Sequence, residues 1–195
     1  KFVGNKKDKV RVIANLYPED MHLVLAKGTK LNSLKDLNGK RVGVAAAGSG
    51  TQVSVKMILK HYGINAKQAE LNLGQSTQRL ADGQLDAFFY AGGWPFAALI
   101  QLGSTKGFDL YTFSKDEVKA INSIIPYYVP STIPAGGYEN IKYDVPTVAV
   151  NGQLVTNVDQ PTDLVYGITK ALWSKKTRGL LDKGHSKGKQ IRLET

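Results

Sequence analysis

The run Arg41-Val42-Gly43-Val44-Ala45-Ala46-Ala47-Gly48-Ser49-Gly50-Thr51 constrains this chain more than any other stretch. A β-type segment runs into small residues and a Gly-Ser-Gly-Thr turn, and an amphipathic helical pattern starts at once. The first backbone N–H groups of such a helix lack carbonyl partners and carry the positive end of the helix dipole. Glycines let a ligand approach the backbone, and Ser49 and Thr51 add hydroxyl groups. The run reads in two ways. It is an anion or carboxylate cradle at the carboxyl end of a strand, the edge where open α/β sheets bind ligands, or it is an ordinary N-cap in a tight strand–helix turn. It is not a P-loop, because no Gly-Lys-Ser/Thr follows. It is not a nucleophile elbow, because Ala47 stands where the first glycine belongs.

Around this run the hydrophobic pattern alternates between strand and helix. Residues 10–17 and 21–25 read as two strands with a Pro18-Glu19-Asp20 turn between them. A helical turn at 33–37 and a strand at 41–46 follow. The helix predicted over 51–62 places Val55, Ile58, Leu59 and Tyr62 on one stripe, and Gly63 stands where a left-handed cap belongs. Residues 69–73 read as a strand, 76–81 as a short helix, and 85–90 as a buried parallel strand. The Gly92-Gly93-Trp94-Pro95 turn leads into a helix through Leu102, then a strand at 108–113. Ser114-Lys115-Asp116-Glu117 is a capping box that opens a helix to Ile124. Residues 125–146 carry four prolines and no helical period, and so predict an extended connector. Short strands at 147–150 and 154–156 precede a helix over 161–174.

This alternation predicts βαβ units and a mostly parallel sheet from about residue 40 to 124. The expected organisation has three parts. Residues 1–27 give strands of a first lobe and a crossing, 28–125 a complete second α/β lobe, and 126–195 the return crossing and the remainder of the first lobe.

Composition narrows the chemistry. The chain has 195 residues and no cysteine, which excludes disulfides, thiolate metal sites and a cysteine nucleophile. His22, His61 and His185 have no metal-ligand spacing. No apolar run is long enough to span a membrane. The net charge of +10 raises nucleic acid as a partner. The basic patches at 6–11 and 175–189 lack the interleaved aromatics of a stacking platform, and so read as a solvated surface. No paired carboxylate or Ser/His pair forms a catalytic constellation. Asp86 reads as a capping or turn contact. The expected class is therefore a binding protein without cofactor or metal, the alternatives being an enzyme on the same lobes or a basic interaction module.

The two turns at 48–51 and 91–95 follow strands of one lobe and fall on one sheet edge. Together they outline a small-molecule cleft with an anion-binding end and an apolar end at Trp94. Equally, Trp94 is core and the glycines only turn the chain.

Several segments in order resemble the TAXI family of TRAP transporter substrate-binding proteins. They begin with Leu16-Tyr17-Pro18-Glu19-Asp20-Met21-His22 and Leu34-Lys35-Asp36-Leu37-Asn38-Gly39-Lys40-Arg41-Val42, followed by Gly48-Ser49-Gly50-Thr51. Asp82-Gly83-Gln84-Leu85-Asp86-Ala87-Phe88-Phe89, Gly92-Gly93-Trp94-Pro95 and Tyr127-Tyr128-Val129-Pro130 continue the likeness. Ile133-Pro134-Ala135-Gly136-Gly137-Tyr138, Val145-Pro146-Thr147-Val148-Ala149-Val150 and the segment from Leu164 to Leu172 complete it.

The resemblance implies a type II-like periplasmic binding protein, with two α/β lobes joined by two extended crossings. It implies a receptor that takes a small organic anion or amino acid, such as glutamate, glutamine or a dicarboxylate, and delivers it to a TRAP membrane permease. Nucleic acid and direct membrane insertion are not expected. Carried over by position, Gly48, Ser49, Gly50 and Thr51 hold a ligand carboxylate. Tyr17, Phe89, Gly92 and Trp94 line the cleft, and Thr147 contributes from the return crossing. Family members begin with further βα units and end in a further segment. The resemblance thus implies a fragment whose first lobe is incomplete and whose signal peptide lies outside the chain.

Overall fold

The computed structural model describes residues 6–193. They form two compact units: the unbroken stretch Asp20–Val150, and a second unit that joins the residues up to Glu19 with those from Asn151 onward. Two strands, β1 (Val10–Ala26) and β7 (Val145–Asn157), contribute residues to both.

β1 is one continuous strand, where the sequence predicts two with a turn at 18–20. Proline removes one ladder donor, but its fixed φ suits an extended chain, so Pro18 does not break the strand. β7 is likewise one strand in place of two short ones.

In the Asp20–Val150 unit the remaining strands are β2 (Arg41–Gly43), β3 (Lys67–Ala69), β4 (Ala87–Gly92), β5 (Phe108–Leu110) and β6 (Val129–Ile133). The sheet order is β3-β2-β4-β1-β7-β6, with β5 also paired to β1. β2 lies parallel to β3 and to β4. β1 runs antiparallel to β4 and β5, and β6 antiparallel to β7. The connector predicted over 125–146 thus contains a strand, β6, with Pro130 inside it.

Helices cover both faces. α1 (Gly50–His61) and α4 (Lys115–Ile124) send Val55, Ile58, Leu59 and Ile121 into one core. α2 (Leu73–Ala81) and α3 (Ala97–Thr105) send Leu80, Leu99 and Leu102 into the other. Successive strand residues point to opposite faces, so adjacent Phe88 and Phe89 of β4 enter different cores and both are fully buried.

Of the two capping candidates in the sequence, Ser49 and Thr51, it is Ser49 that caps α1, and the helix starts one residue earlier than predicted. It ends in a Schellman motif, with Ile64 N–H donating to the Leu59 carbonyl at 2.9 Å and Gly63 at φ +64°. α2 starts three residues earlier than predicted. Asn72 caps it, and Gln75 returns the bond to the Asn72 N–H, a capping box in which Asn72 takes the usual serine's place.

The other unit holds α5 (Thr162–Leu172), α6 (Lys175–Lys183) and a 3-10 turn at Ser186–Gln190. α6 and the 3-10 turn fall on the basic run that the sequence reads only as solvated surface. Within this unit Lys9 pairs with Asp159 at 2.9 Å, and Gln153 donates to Asn15 at 2.9 Å. Neither α5 nor α6 buries a residue, and Val12, Val155, Leu164, Tyr166 and Leu180 are exposed. Among the described residues, no helix is long and apolar enough to cross a membrane.

Candidate ligand-binding site

The loop between β2 and α1 is built to present backbone donors. Ala45 takes a left-handed conformation at φ +68°, which only glycine adopts without strain, and Gly48 follows at φ +74°. Ala45 is held there from outside: its carbonyl accepts from Leu71 N–H at 3.2 Å, just beyond β3. Gly48 N–H donates to Gln52 Oε1 at 2.9 Å, and Ser49 Oγ accepts from Gln52 N–H at 3.1 Å. Ser49 is thus the helix cap, its hydroxyl oxygen engaged by the helix it starts.

Two donors remain. The N–H groups of Gly50 and Thr51, the first two of α1, meet no acceptor among the described residues. No acidic residue stands in the first turn to neutralise the dipole. A side chain added at Gly50 would meet nothing within 4 Å, so the approach to these N–H groups is open. The Gln52 side chain is buried, and its Nε2 meets no acceptor within hydrogen-bond distance among the described residues. Nearby Glu70 is held below the usual carboxylate range chiefly by its hydrogen bond to Lys56. The Gln52 amide is the weakest influence on it.

The second turn follows β4, the parallel neighbour of β2, and so leaves the sheet at the same edge. Trp94 is half-buried in it. Its indole Nε1–H donates to Asp20 Oδ2 at 2.7 Å, and Ser131 Oγ donates to Asp20 Oδ1 at 2.5 Å. Asp20 is the residue of β1 paired with Gly92 at the end of β4, and it is 1% exposed. Gly92 is a packing glycine: a Cβ there would lie 2.9 Å from Phe96 Cζ. Phe96 stacks edge-on against Tyr90 and His22, each with centroids 5.1 Å apart. His22 Nδ1 meets the Asp20 carbonyl at 2.9 Å, and Nε2 meets the Tyr138 hydroxyl at 3.1 Å. Burial pushes the Tyr138 phenol well above the usual tyrosine range.

The nine residues singled out in the sequence thus fall in different places. Gly48, Ser49, Gly50 and Thr51 form one turn, exposed at the two glycines and half-buried at Ser49 and Thr51, and Trp94 stands in a second turn on the same edge. Phe89 is fully buried in the core behind α1, since its position in β4 points it inward. Thr147 is fully buried, and its hydroxyl donates to the Met21 carbonyl, so that group is spent on the backbone. Tyr17 belongs to the other unit, half-buried on β1. Sequence reasoning missed Asp20, Ser131 and Gln52. Asp20 was hidden by its assignment to a turn, and Gln52 by an ordinary helical position.

An open helix N-terminus on the carboxyl edge of parallel strands is a position where α/β proteins commonly bind ligands. Solved structures carry the comparison further. An ancestral arginine-binding protein bound to arginine is 24% identical, with a TM-score of 0.52 over 91% of this chain and 63% of that one. A TctC solute-binding protein from Polaromonas, without ligand, is 14% identical, with a TM-score of 0.52 over 93% of this chain and 62% of that one. The amino acid ABC transporter substrate-binding protein AbpA from Streptococcus pneumoniae, bound to L-arginine, is 18% identical. Its TM-score is 0.51 over 91% of this chain and 61% of that one. The chain therefore has the mixed α/β fold of periplasmic solute-binding proteins, and spans less than two thirds of the length of these three. It belongs to the NMT1-like family, which it matches over residues 1–195.

Proposed function

We propose that this chain is the ligand-binding part of a periplasmic solute receptor of the TAXI type, serving a TRAP membrane permease. Its ligand is a small organic anion or amino acid whose carboxylate docks on the N-terminus of α1. The observation that carries this reading is the pair of N–H groups at Gly50 and Thr51, open to approach, with no acid in the first turn and the Thr51 hydroxyl beside them. A carboxylate there completes the helix's missing acceptors and meets the positive end of its dipole. The protein binds and releases without chemical turnover.

We further infer that the chain is a piece of the whole receptor. The exposed apolar side chains of the unit containing α5 and α6 support this, as does the share of its structural relatives that it spans. A lobe that leaves two helices without a buried residue has surface for further chain to cover.

Calorimetric titration with glutamate, glutamine, 2-oxoglutarate and leucine tests the reading. Saturable binding of any one, lost in Thr51→Pro, which removes one of the two N–H donors, is the expected outcome. Absence of binding by all four, with arginine also inert, refutes it.

A further inference from the structure

β6 ends the sheet with an open edge. It is the last strand in the sheet order and pairs with β7 alone among the described residues. Phe113 N–H donates to the Pro146 carbonyl at 3.0 Å, from the side of β7 where β1 and β5 lie. Pro146 therefore turns its carbonyl away from β6. Thr132, opposite Pro146 in the register, belongs to a non-hydrogen-bonded pair, so its N–H and C=O point outward. Pro130, two residues before it, faces the same way and offers a carbonyl alone. Val129, Pro130 and Thr132 are exposed.

A groove of 490 Å³ lies beside this edge, between β6 and α4 and within Asp20–Val150. Lys115, Val118, Lys119 and Asn122 recur at i, i+3, i+4 and i+7, so one side of α4 forms its wall. Phe113, Pro130 and Pro146 supply much of its apolar lining. Asn122 Nδ2 donates to the Tyr128 carbonyl at 2.5 Å, which fixes the end of α4 against the approach to β6. The groove is thus formed without a partner in it.

Charge says what suits it. Lys115 and Lys119 are exposed, and neither has an acidic partner among the described residues. No carboxylate lines the groove among the described residues. A second copy of the chain is a poor occupant. Two β6 edges paired about a two-fold axis normal to the sheet would gather the lysines of both copies on one face. Each edge would also offer the other a proline with no N–H to give.

We propose that β6 and this groove form a docking surface for an acidic, extended segment of a partner protein. The segment adds a strand beside β6, bonded through the backbone to Thr132 and Pro130, and its alternate side chains fall along α4. Acidic side chains there meet Lys115 and Lys119, and an apolar one between them packs on Phe113 and Val118. The surface uses none of the residues of the turns after β2 and β4, and the proposal does not rest on the receptor reading.

The experiment is a titration of the isotope-labelled chain with the blocked peptide Thr-Glu-Thr-Val-Thr-Glu-Thr, followed by backbone amide NMR. The control peptide carries lysine in place of both glutamates. The acidic peptide is expected to bind about tenfold more tightly than the control, to shift the Thr132 amide signal and to slow its hydrogen exchange. Lys115→Glu combined with Lys119→Glu changes two exposed side chains and is expected to reverse the order of the two peptides. No binding by the acidic peptide, or equal binding of both, overturns the proposal. A shift at Gly50 and Thr51 with Thr132 unmoved also overturns it, because the glutamates then seat on the N-terminus of α1. So does a chain that sediments as a dimer with the Thr132 amide protected before any peptide is added, because a second copy then covers the edge.

Discussion

Arg41 and Asp86 clamp the starts of two adjacent parallel strands. Asp86 Oδ2 accepts from the Arg41 backbone N–H at 2.7 Å, and Oδ1 accepts from the Arg41 guanidinium at 2.7 Å. Both contacts, the hydrogen bond from the side chain above all, hold the Asp86 carboxyl below its usual range. A carboxyl depressed in the folded state stabilises above its unfolded pKa, and that contribution is lost as pH falls through the folded value. Asp86→Asn is therefore expected to lower the melting temperature at neutral pH. The gap from the parent should close as the pH drops below the carboxylate range. Thermal melts across acid pH check this, and a gap of constant size would count against it.

A second polar contact lies inside the core. Glu117 is buried, and its carboxylate accepts from the Tyr111 hydroxyl at 2.8 and 2.9 Å, from Leu34 N–H at 3.0 Å and from Ser114 N–H at 2.8 Å. It thereby ties α4 to the 3-10 turn Leu34–Leu37 across the sequence. Tyr111→Phe leaves the carboxylate one donor short and is expected to cost about 1–3 kcal/mol. The urea midpoint of unfolding measures it, and an unchanged midpoint would show that water replaces the hydroxyl without loss.

The two hydroxyls of the Gly-Ser-Gly-Thr turn should separate stability from binding. Ser49 Oγ caps α1, so Ser49→Ala is expected to destabilise the fold by about 0.5–2 kcal/mol. Thr51 has no such bond, so Thr51→Ala should leave the melting temperature nearly unchanged. It should weaken a carboxylate ligand by about 1–3 kcal/mol, the scale of a hydrogen bond to a charged group. Paired melts and titrations of the two variants decide it. Equal effects on stability would remove the distinction.

The two units should also differ in local stability. In Asp20–Val150 the sheet is covered on both faces, whereas α5 and α6 bury no residue. Few buried apolar contacts mean low-energy opening. Amides of α5 and α6 are expected to exchange at least tenfold faster than those of β2 and β4 in native-state hydrogen exchange. Equal protection would show that the exposed apolar side chains are covered in solution.

Capping chemistry made much of this architecture legible. Ser114 announces α4, and Ser49 or Thr51 announces α1, because such residues offer an oxygen to a nearby helix N–H, a local bond that needs no tertiary context; the structure gives that role to Ser49. The carboxyl-edge position of the two turns was legible for the same reason, since it follows from strand–helix order. What was not legible depended on neighbours. Pro18 reads as a turn until β1 is seen to run straight through it. α6 carries only Leu180 and Leu181 as large apolar residues, so its residues read as a charged run. Asp20 acquires meaning only when β1 sets it beside Gly92 and the chain brings Trp94 and Ser131 to it from far along the sequence.

The division of the chain also orders its folding. Asp20–Val150 is one unbroken stretch, so its strands and helices can assemble while both ends of the chain are still free. The other unit has to bring Lys9 to Asp159 and Asn15 to Gln153 around the whole of that stretch. Closing so large a loop costs entropy that grows only slowly with length, but contacts of such separation form late. During synthesis, residues 10–17 leave the ribosome long before 151–158 exist. Those early residues, with Val10 and Val12 at the surface, spend that interval as an open strand edge. The continuous unit needs none of those late residues for its own contacts.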